Sequence, residues 1–290
     1  MKGIPSPFRS SGRKHQVLRR FRRNRTACSG LLIVLVFLVV GLLAPVIAPF
    51  PAETIDLGNA FQTPSLRHWA GTDNMGRDIL SRILYGARIS MMTGILSVSV
   101  ALLIGTPIGL AAGYWSGRVD LVLMRLMDIL LSFPGILLAI AIVVILGPGL
   151  GNAILAVGIA SIPLFARLVR GQALQIRELE FIEAARAIGE SSVSMMWRYL
   201  LPNCLSAVVV QATLRTATAV LVASGLSFLG LGAQPPTPEW GAMLSEGREF
   251  IRSAPHLTLF PGLALMVFVF GFNLFADGLI DVLNPKIRND

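Results

Sequence analysis

Glu183-Ala184-Ala185-Arg186-Ala187-Ile188-Gly189, followed after nine residues by Tyr199-Leu200-Leu201-Pro202-Asn203, is the stretch around which the chain is organised. It lies between two long apolar spans, carries both signs of charge and packs three alanines into little more than one helical turn. Ala184, Ala185 and Ala187 favour helix. Phe181, Ile182 and Ile188 supply apolar contacts, with Ile188 on the side of 181 and 184 by the spacing of seven and four. A helix with so little side-chain bulk fits a narrow groove on another protein. Gly189 is placed to close it in a left-handed cap, Ser191 or Ser192 to start a second short helix, and Pro202 to mark a new element.

Outward from this stretch the chain reads as a membrane protein. Its 290 residues are 54% hydrophobic and only 14% charged, with a mean hydropathy of +0.69, far more apolar than a soluble domain of this length. The net charge of +9 and the isoelectric point near 10.7 do not indicate nucleic acid. Lys2, Arg9, Arg13, Lys14, Arg19, Arg20, Arg22, Arg23 and Arg25 crowd residues 1–29 with no acid among them. A basic tail directly before an apolar span is the positive-inside signature and can touch anionic headgroups. Phe8 and Phe21 alone do not make a base-stacking surface. The apolar stretch 30–50 is too long for a signal-peptide core and lacks a small-x-small cleavage site, so it reads as a retained first span. Cys28 and Cys204 suggest neither a disulfide nor a metal site.

A transmembrane helix needs about 20 mostly apolar residues, and six stretches qualify: 30–50, 89–115, 119–147, 152–169, 205–232 and 257–280. An even count with the N-terminus inside returns the C-terminus inside. The basic residues agree: the tail, Arg118, Arg125, five arginines around the opening stretch, Lys286 and Arg288 fall inside, against six arginines outside. The chain therefore divides into a basic cytoplasmic tail 1–29, a first helix 30–50, an external segment 51–88 and a five-helix core 89–290 that holds the cytoplasmic loop 173–203. From Asn74 onward the external segment alternates as an amphipathic helix suited to lie along the membrane surface, with Leu80, Ile83 and Leu84 on one side and Arg77, Asp78, Arg82 and Arg88 elsewhere. His68 and Asp73 lack the further ligands a metal needs.

Gly105, Gly109, Gly113 and Gly117 recur every four residues, a small-residue stripe for close helix packing. Pro107 and Pro134 should kink their helices. Charges inside spans need partners or water. Arg125 and Asp128, three apart, can pair with each other. Arg215 has no acid at i±3 or i±4 and stands beside Gln211 and Thr216; it either lines a polar path or pairs with an acid on another helix or subunit. Asp277 and Asp281, one turn apart, read as a cap or salt-bridge pair.

The opening stretch resembles the E-A-A-x-x-x-G loop of ATP-binding-cassette importer permeases, with Glu183, Ala184, Ala185, Gly189, Leu201 and Pro202 in the matching positions and Tyr199 where the pattern usually carries isoleucine. Gly71-Thr72-Asp73, Gly76-Arg77-Asp78, Ser81-Arg82 and Tyr85-Gly86-Ala87-Arg88 are similar to the C-type permease subunits of dipeptide, oligopeptide and nickel importers. So are the proline-rich external loop Gly230 to Gly241, containing Trp240, and the closing run from Asn273 through Asp277-Gly278-Leu279 and Asp281 to Pro285. The resemblance implies an all-α membrane protein of six transmembrane helices, with a cytoplasmic coupling helix and an external amphipathic helix before the second span. It implies a bacterial inner-membrane subunit with both termini cytoplasmic and four kinds of partner: two ATPase subunits, a homologous second permease subunit, an extracytoplasmic substrate-binding protein and membrane lipid. ATP and magnesium would sit on the ATPases, and no cofactor on this chain, which carries no G-x-x-x-x-G-K-[ST] loop. Binding-protein docking would fall on Arg77, Asp78, Arg82, Arg88 and Trp240, and the translocation path near Arg215 and Gln211. The cargo implied is dipeptides or longer peptides, with glutathione, nickel chelates or haem as alternatives. A secondary carrier would leave the E-A-A loop without a purpose, and an intramembrane hydrolase would need a base at membrane depth that His15, His68 and His256 do not supply.

Overall fold

The structure, a computed structural model, describes residues 21–283. The basic residues before Phe21, together with His15, Pro285, Lys286 and Arg288, lie outside the described residues. Nine helices organise the rest: α1 Arg25–Ile47, α2 Ile79–Trp115, α3 Gly117–Leu131, α4 Gly135–Leu146, α5 Leu150–Ile176, α6 Glu180–Ala187, α7 Ser192–Phe228, α8 Trp240–Gly247 and α9 His256–Leu283. Among the described residues there is no named strand, only an isolated bridge between Thr72 and Asp78.

Five of these helices, α1, α2, α5, α7 and α9, are long and apolar enough to cross a membrane, and α3 with α4 makes a sixth span if the pair is taken together. The third span, expected over 119–147 with a kink at Pro134, is broken there into two helices. It bends by 88° between α3 and α4, because Pro134 cannot donate a backbone hydrogen bond and clashes with the preceding turn. Pro107, by contrast, stays inside an unbroken α2.

The helix expected to start at Asn74 and lie on the membrane surface is also different. Gly76 has a positive φ of 73°, and the amides of Asp73 and Gly76 are tied to the carbonyls of Arg77 and Asp73 in a tight turn. Helix begins only at Ile79, where the Asp78 carboxylate accepts from the amide of Ser81 at 2.8 Å as an N-cap. It then runs directly into the second span, its 37 residues making a rod of about 55 Å. That length exceeds the hydrocarbon core of about 30 Å, so the outer turns stand clear of it. Leu80 and Ile83 pack into the core rather than onto lipid.

The glycine stripe joins α2 to α5. A Cβ added at Gly105 would stand 2.7 Å from the Ile162 carbonyl oxygen, and one at Gly109 would stand 2.5 Å from that of Ala166. Only hydrogen fits between the two backbones there. Gly117 leaves the stripe: it opens α3 at the corner after Ser116, with nothing within 4 Å of an added Cβ. Around the α2–α5 seam, α7 packs against both, and α1 and α9 close the other flank. α1 buries only Ala27, Gly30, Gly41 and Ala44 and turns Leu32, Leu42 and Val46 outward, as a helix solvated by lipid does.

The local Arg125–Asp128 pair does not form. Asp128 instead accepts from Arg167 of α5 at 2.5 Å, and Arg170 forks across both carboxylate oxygens of Asp120. Arg125 is exposed and has no acidic partner among the described residues. With α3 lying beside α5, the planar guanidinium reaches a carboxylate across the seam in a geometry that an i,i+3 pair on one helix does not offer.

Candidate functional site

α6 is a short helix between two long ones. Its entrance, Leu179, contributes no side-chain cap, but Glu180 and Glu183 place negative charge in the first turn and Arg186 places positive charge in the last, complementing the helix dipole. Gly189 closes it with φ of 85°, the left-handed conformation that a Cβ disfavours. The amide of Glu190 bonds the Ala185 carbonyl. The Ser191 hydroxyl then accepts from the Ser194 amide at 3.3 Å and opens α7. The second short helix is not separate: Met195–Leu200 winds as a wide turn that carries the chain through Pro202 into the span.

Two side chains seat α6 on the bundle. Ile182 is fully buried and Ala185 nearly so, against Val169 and Ala173 of α5, Leu110 of α2, and Met195, Leu200 and Cys204 of α7. Ala185 thus serves the seat and not an outer contact, and Ile182 faces inward where Phe181 and Ile188 face outward. The opposite face carries Glu183, Ala184, Arg186 and Ala187, all exposed, flanked by Phe181 and by Ile188, the latter 78% exposed. Glu183 has no ion-pair partner among the described residues. Of the remaining residues of the motif, Leu201 is half-buried beside the seat, Pro202 exposed and Gly189 in the cap. Leu179, Val193 and Trp197 extend the exposed apolar rim. The sequence reading missed them because Leu179 precedes α6 while Val193 and Trp197 follow the cap at Gly189, so no single helical period links them.

On the opposite face of the bundle the expected docking residues are mostly internal. Arg77 and Arg82 are each 1% exposed, Asp78 is buried, and Trp240 is fully buried. Arg77 bonds Asp73 and Glu246, both at 2.6 Å, and Arg82 spans the same two acids at 3.2 Å. Two cations and two anions make a neutral quartet, which is why charges can be buried at the base of the external segment. Asp78 accepts from or donates to His68 Nδ1 at 2.9 Å according to their protonation. The Trp240 indole donates to the Ile83 carbonyl at 3.2 Å, with its ring edge-on to Phe37 and Phe268. Only Arg88 is exposed. Leu57, Leu66 and Trp69, at 72%, 98% and 70% exposure, are the most exposed large apolar side chains of this segment.

Arg215 is half-buried in α7 and lines a cavity of about 240 Å³ shared by α4, α5 and α7; Gln211 does not line it. Arg215 has no acidic partner on another helix of this chain among the described residues, which leaves a polar path or an acid on another subunit.

Residues 105–289 match the model of the family described as binding-protein-dependent transport system inner membrane component. The chain belongs to that family. Residues 13–64 match the N-terminal transmembrane domain of oligopeptide transport permease C. The permease is 51% identical over 275 residues to the glutathione transport system permease protein GsiD of Escherichia coli O6:K15:H31, covering 94% of this chain and 91% of that one. It is 47% identical over 274 residues to the dipeptide transport system permease protein DppC of Alkalihalophilus pseudofirmus, covering 94% and 90%. Among solved structures it superposes on a chain of the MetNI methionine ABC transporter, in inward-facing conformations, with a TM-score of 0.58 over 71% of this chain and 98% of that one. At 21% identity that likeness shows the fold alone. The permease is a multi-pass, all-α subunit of an ATP-binding-cassette importer.

Proposed function

We propose that the permease imports short peptides by alternating access, driven by ATPase subunits that grip the outer face of α6. The observation that carries this is the division of α6 into a seat and a free face: Ile182 and Ala185 are buried, while Glu183, Ala184 and Ile188 are exposed. A helix fixed to the ends of α5 and α7 transmits any displacement to both spans. Its exposed acid offers a charge-assisted bond to a basic groove, and closure of the ATPases would rock the bundle between two states. ATP and magnesium belong to those partners. A homologous second permease would complete the pathway, lipid would cover α1, and both termini would be cytoplasmic in a bacterial inner membrane. A substrate-binding protein would dock over the external segment through Leu66 and Trp69 rather than through the buried Arg77, Asp78, Arg82 and Trp240.

Dipeptides or longer peptides are the cargo supported by the 47% identity to a dipeptide permease. Glutathione, itself a tripeptide, is the second reading, favoured by the 51% identity to a glutathione permease. The test is co-purification of the ATPases with the tagged permease. Glu183→Arg should abolish capture while the permease keeps its thermal stability, and undiminished capture would refute the coupling role. Uptake of labelled dialanine against labelled glutathione in cells expressing the operon separates the two cargoes.

A further inference from the structure

The break in the third span and the lone cation in α7 meet in one place. α4 starts at Gly135, after Pro134, and ends at Leu146; α7 ends at Phe228. Those two ends lie on the same face of the bundle, because the Gly149 amide bonds the Leu231 carbonyl at 3.1 Å. Counted back along each helix at 1.5 Å per residue, Gly135 lies about 17 Å and Arg215 about 20 Å from those ends. Both depths are well inside a hydrocarbon core of about 30 Å.

Both line the cavity of about 240 Å³, whose remaining wall includes Ala160 and Ser161 of α5 and Thr218 and Ala219 of α7. Gly135, Ala160 and Ala219 leave room for the recess, and Ile136, Val157, Leu164 and Val222 make the rest of its wall apolar, so Arg215 is its one charged group. The Ser161 and Thr218 hydroxyls donate to their own helix carbonyls, of Val157 at 2.8 Å and of Leu214 at 3.4 Å, so they are already committed as donors. The guanidinium of Arg215 is not: none of its five N–H groups has an acceptor among the described residues. A charge at this depth is costly unless it faces water or an anion. The start of α4 adds to it. The first amides of a helix lack intrahelical partners, and no side chain caps them here. A broken helix presenting its positive end beside an unpaired cation is complementary to an anion.

We infer that this recess is a carboxylate-binding site on the translocation path, with Arg215 holding the terminal carboxylate of a peptide in transit. The inference rests on the importer reading above and deepens it by naming what the pathway recognises. A carboxylate matches the planar fork of arginine in a bidentate pair, and the cavity is below the range of pockets that enclose a whole ligand, which suits one end of a peptide. The competing occupant is an acidic side chain of the second permease subunit, which would fill and neutralise the recess.

The test uses the assembled complex with its ATPases, carrying Ala160→Cys with Cys28 and Cys204 replaced by Ser and Ala. Labelling rates are compared for an anionic sulfonatoethyl and a cationic trimethylammonium-ethyl methanethiosulfonate, in the nucleotide-free and vanadate-trapped states. In at least one state the anionic reagent should react about tenfold faster after correction for intrinsic reactivity. Arg215→Gln should remove that preference and Arg215→Lys should keep most of it. Trialanine should protect the thiol more than trialanine amide does. A thiol unreactive in both states, or a preference indifferent to Arg215→Gln, overturns the site in favour of a packed subunit interface, and equal protection by acid and amide overturns the carboxylate assignment. ATPase capture is scored on the same samples. Failure of the unsubstituted permease to capture ATPase would refute the importer reading, while the anion preference of the nucleotide-free permease still reads the recess.

Discussion

Arg77 Nη2 lies 2.6 Å from Glu246 Oε2, joining residues 169 positions apart and tying the external segment to α8. Arg77 is 1% exposed and also holds Asp73. Its removal would leave two acids facing each other with only Arg82 between them. Breaking a buried pair from one side costs about 3 kcal/mol or more, so Arg77→Ala should lower the melting temperature of the detergent-purified permease by roughly 6–12 °C. Arg125→Ala, at an exposed and unpaired position, should change stability by less than about 0.5 kcal/mol. The same thermal scan reads both.

The glycine stripe separates two substitutions that look alike on paper. Gly109→Ala drives a Cβ to 2.5 Å from a backbone oxygen of α5, and neither helix can retreat without unpacking the seam; a loss of about 1–3 kcal/mol is expected. Gly171→Ala, in α5 itself, meets nothing within 4 Å and should be neutral or gain up to about 1 kcal/mol of helix propensity. Thermal unfolding of the two variants side by side checks the contrast.

Seat and face of α6 should separate in the same way. Ile182→Ala removes a fully buried side chain and should cost about 2–5 kcal/mol, lowering both the melting temperature and the capture of ATPase. Ile188→Ala, 78% exposed, should leave the melting temperature within about 2 °C while capture of ATPase falls. A drop in stability for Ile188→Ala would mean that this face packs against the permease itself.

What was legible in the sequence follows from range. The cap at Gly189, the Ser191 start and the small-residue stripe as far as Gly113 are set by backbone sterics within one or two turns, and they appear where expected. Partners across the bundle were not legible. Asp128 is three residues from Arg125 yet is taken by Arg167, because the tilt of α3 against α5 depends on the bend at Pro134, whose angle no local pattern encodes. The amphipathic pattern after Asn74 was real, but its polar side meets acids of the chain's own external segment and α8. Charge alternation alone cannot tell a solvated face from a neutral buried quartet.

The sidedness of the loop decides whether a cytosolic motor can reach α6 at all. Val193 is 61% exposed beside α6 and Leu66 is 98% exposed in the external segment, so either can carry a thiol without disturbing the core. α5 and α7, which enter and leave the α6 region, are each long enough to span the bilayer, and the arginines cluster at their α6 ends, which favours a cytoplasmic location by the distribution of basic residues. In a background without Cys28 and Cys204, a membrane-impermeant maleimide added to intact spheroplasts should label Leu66→Cys and spare Val193→Cys; inverted vesicles should reverse the result. Labelling of position 193 from outside would put α6 on the wrong side of the membrane for any ATPase and remove the mechanical basis of ATP-driven import, whatever the family of the chain.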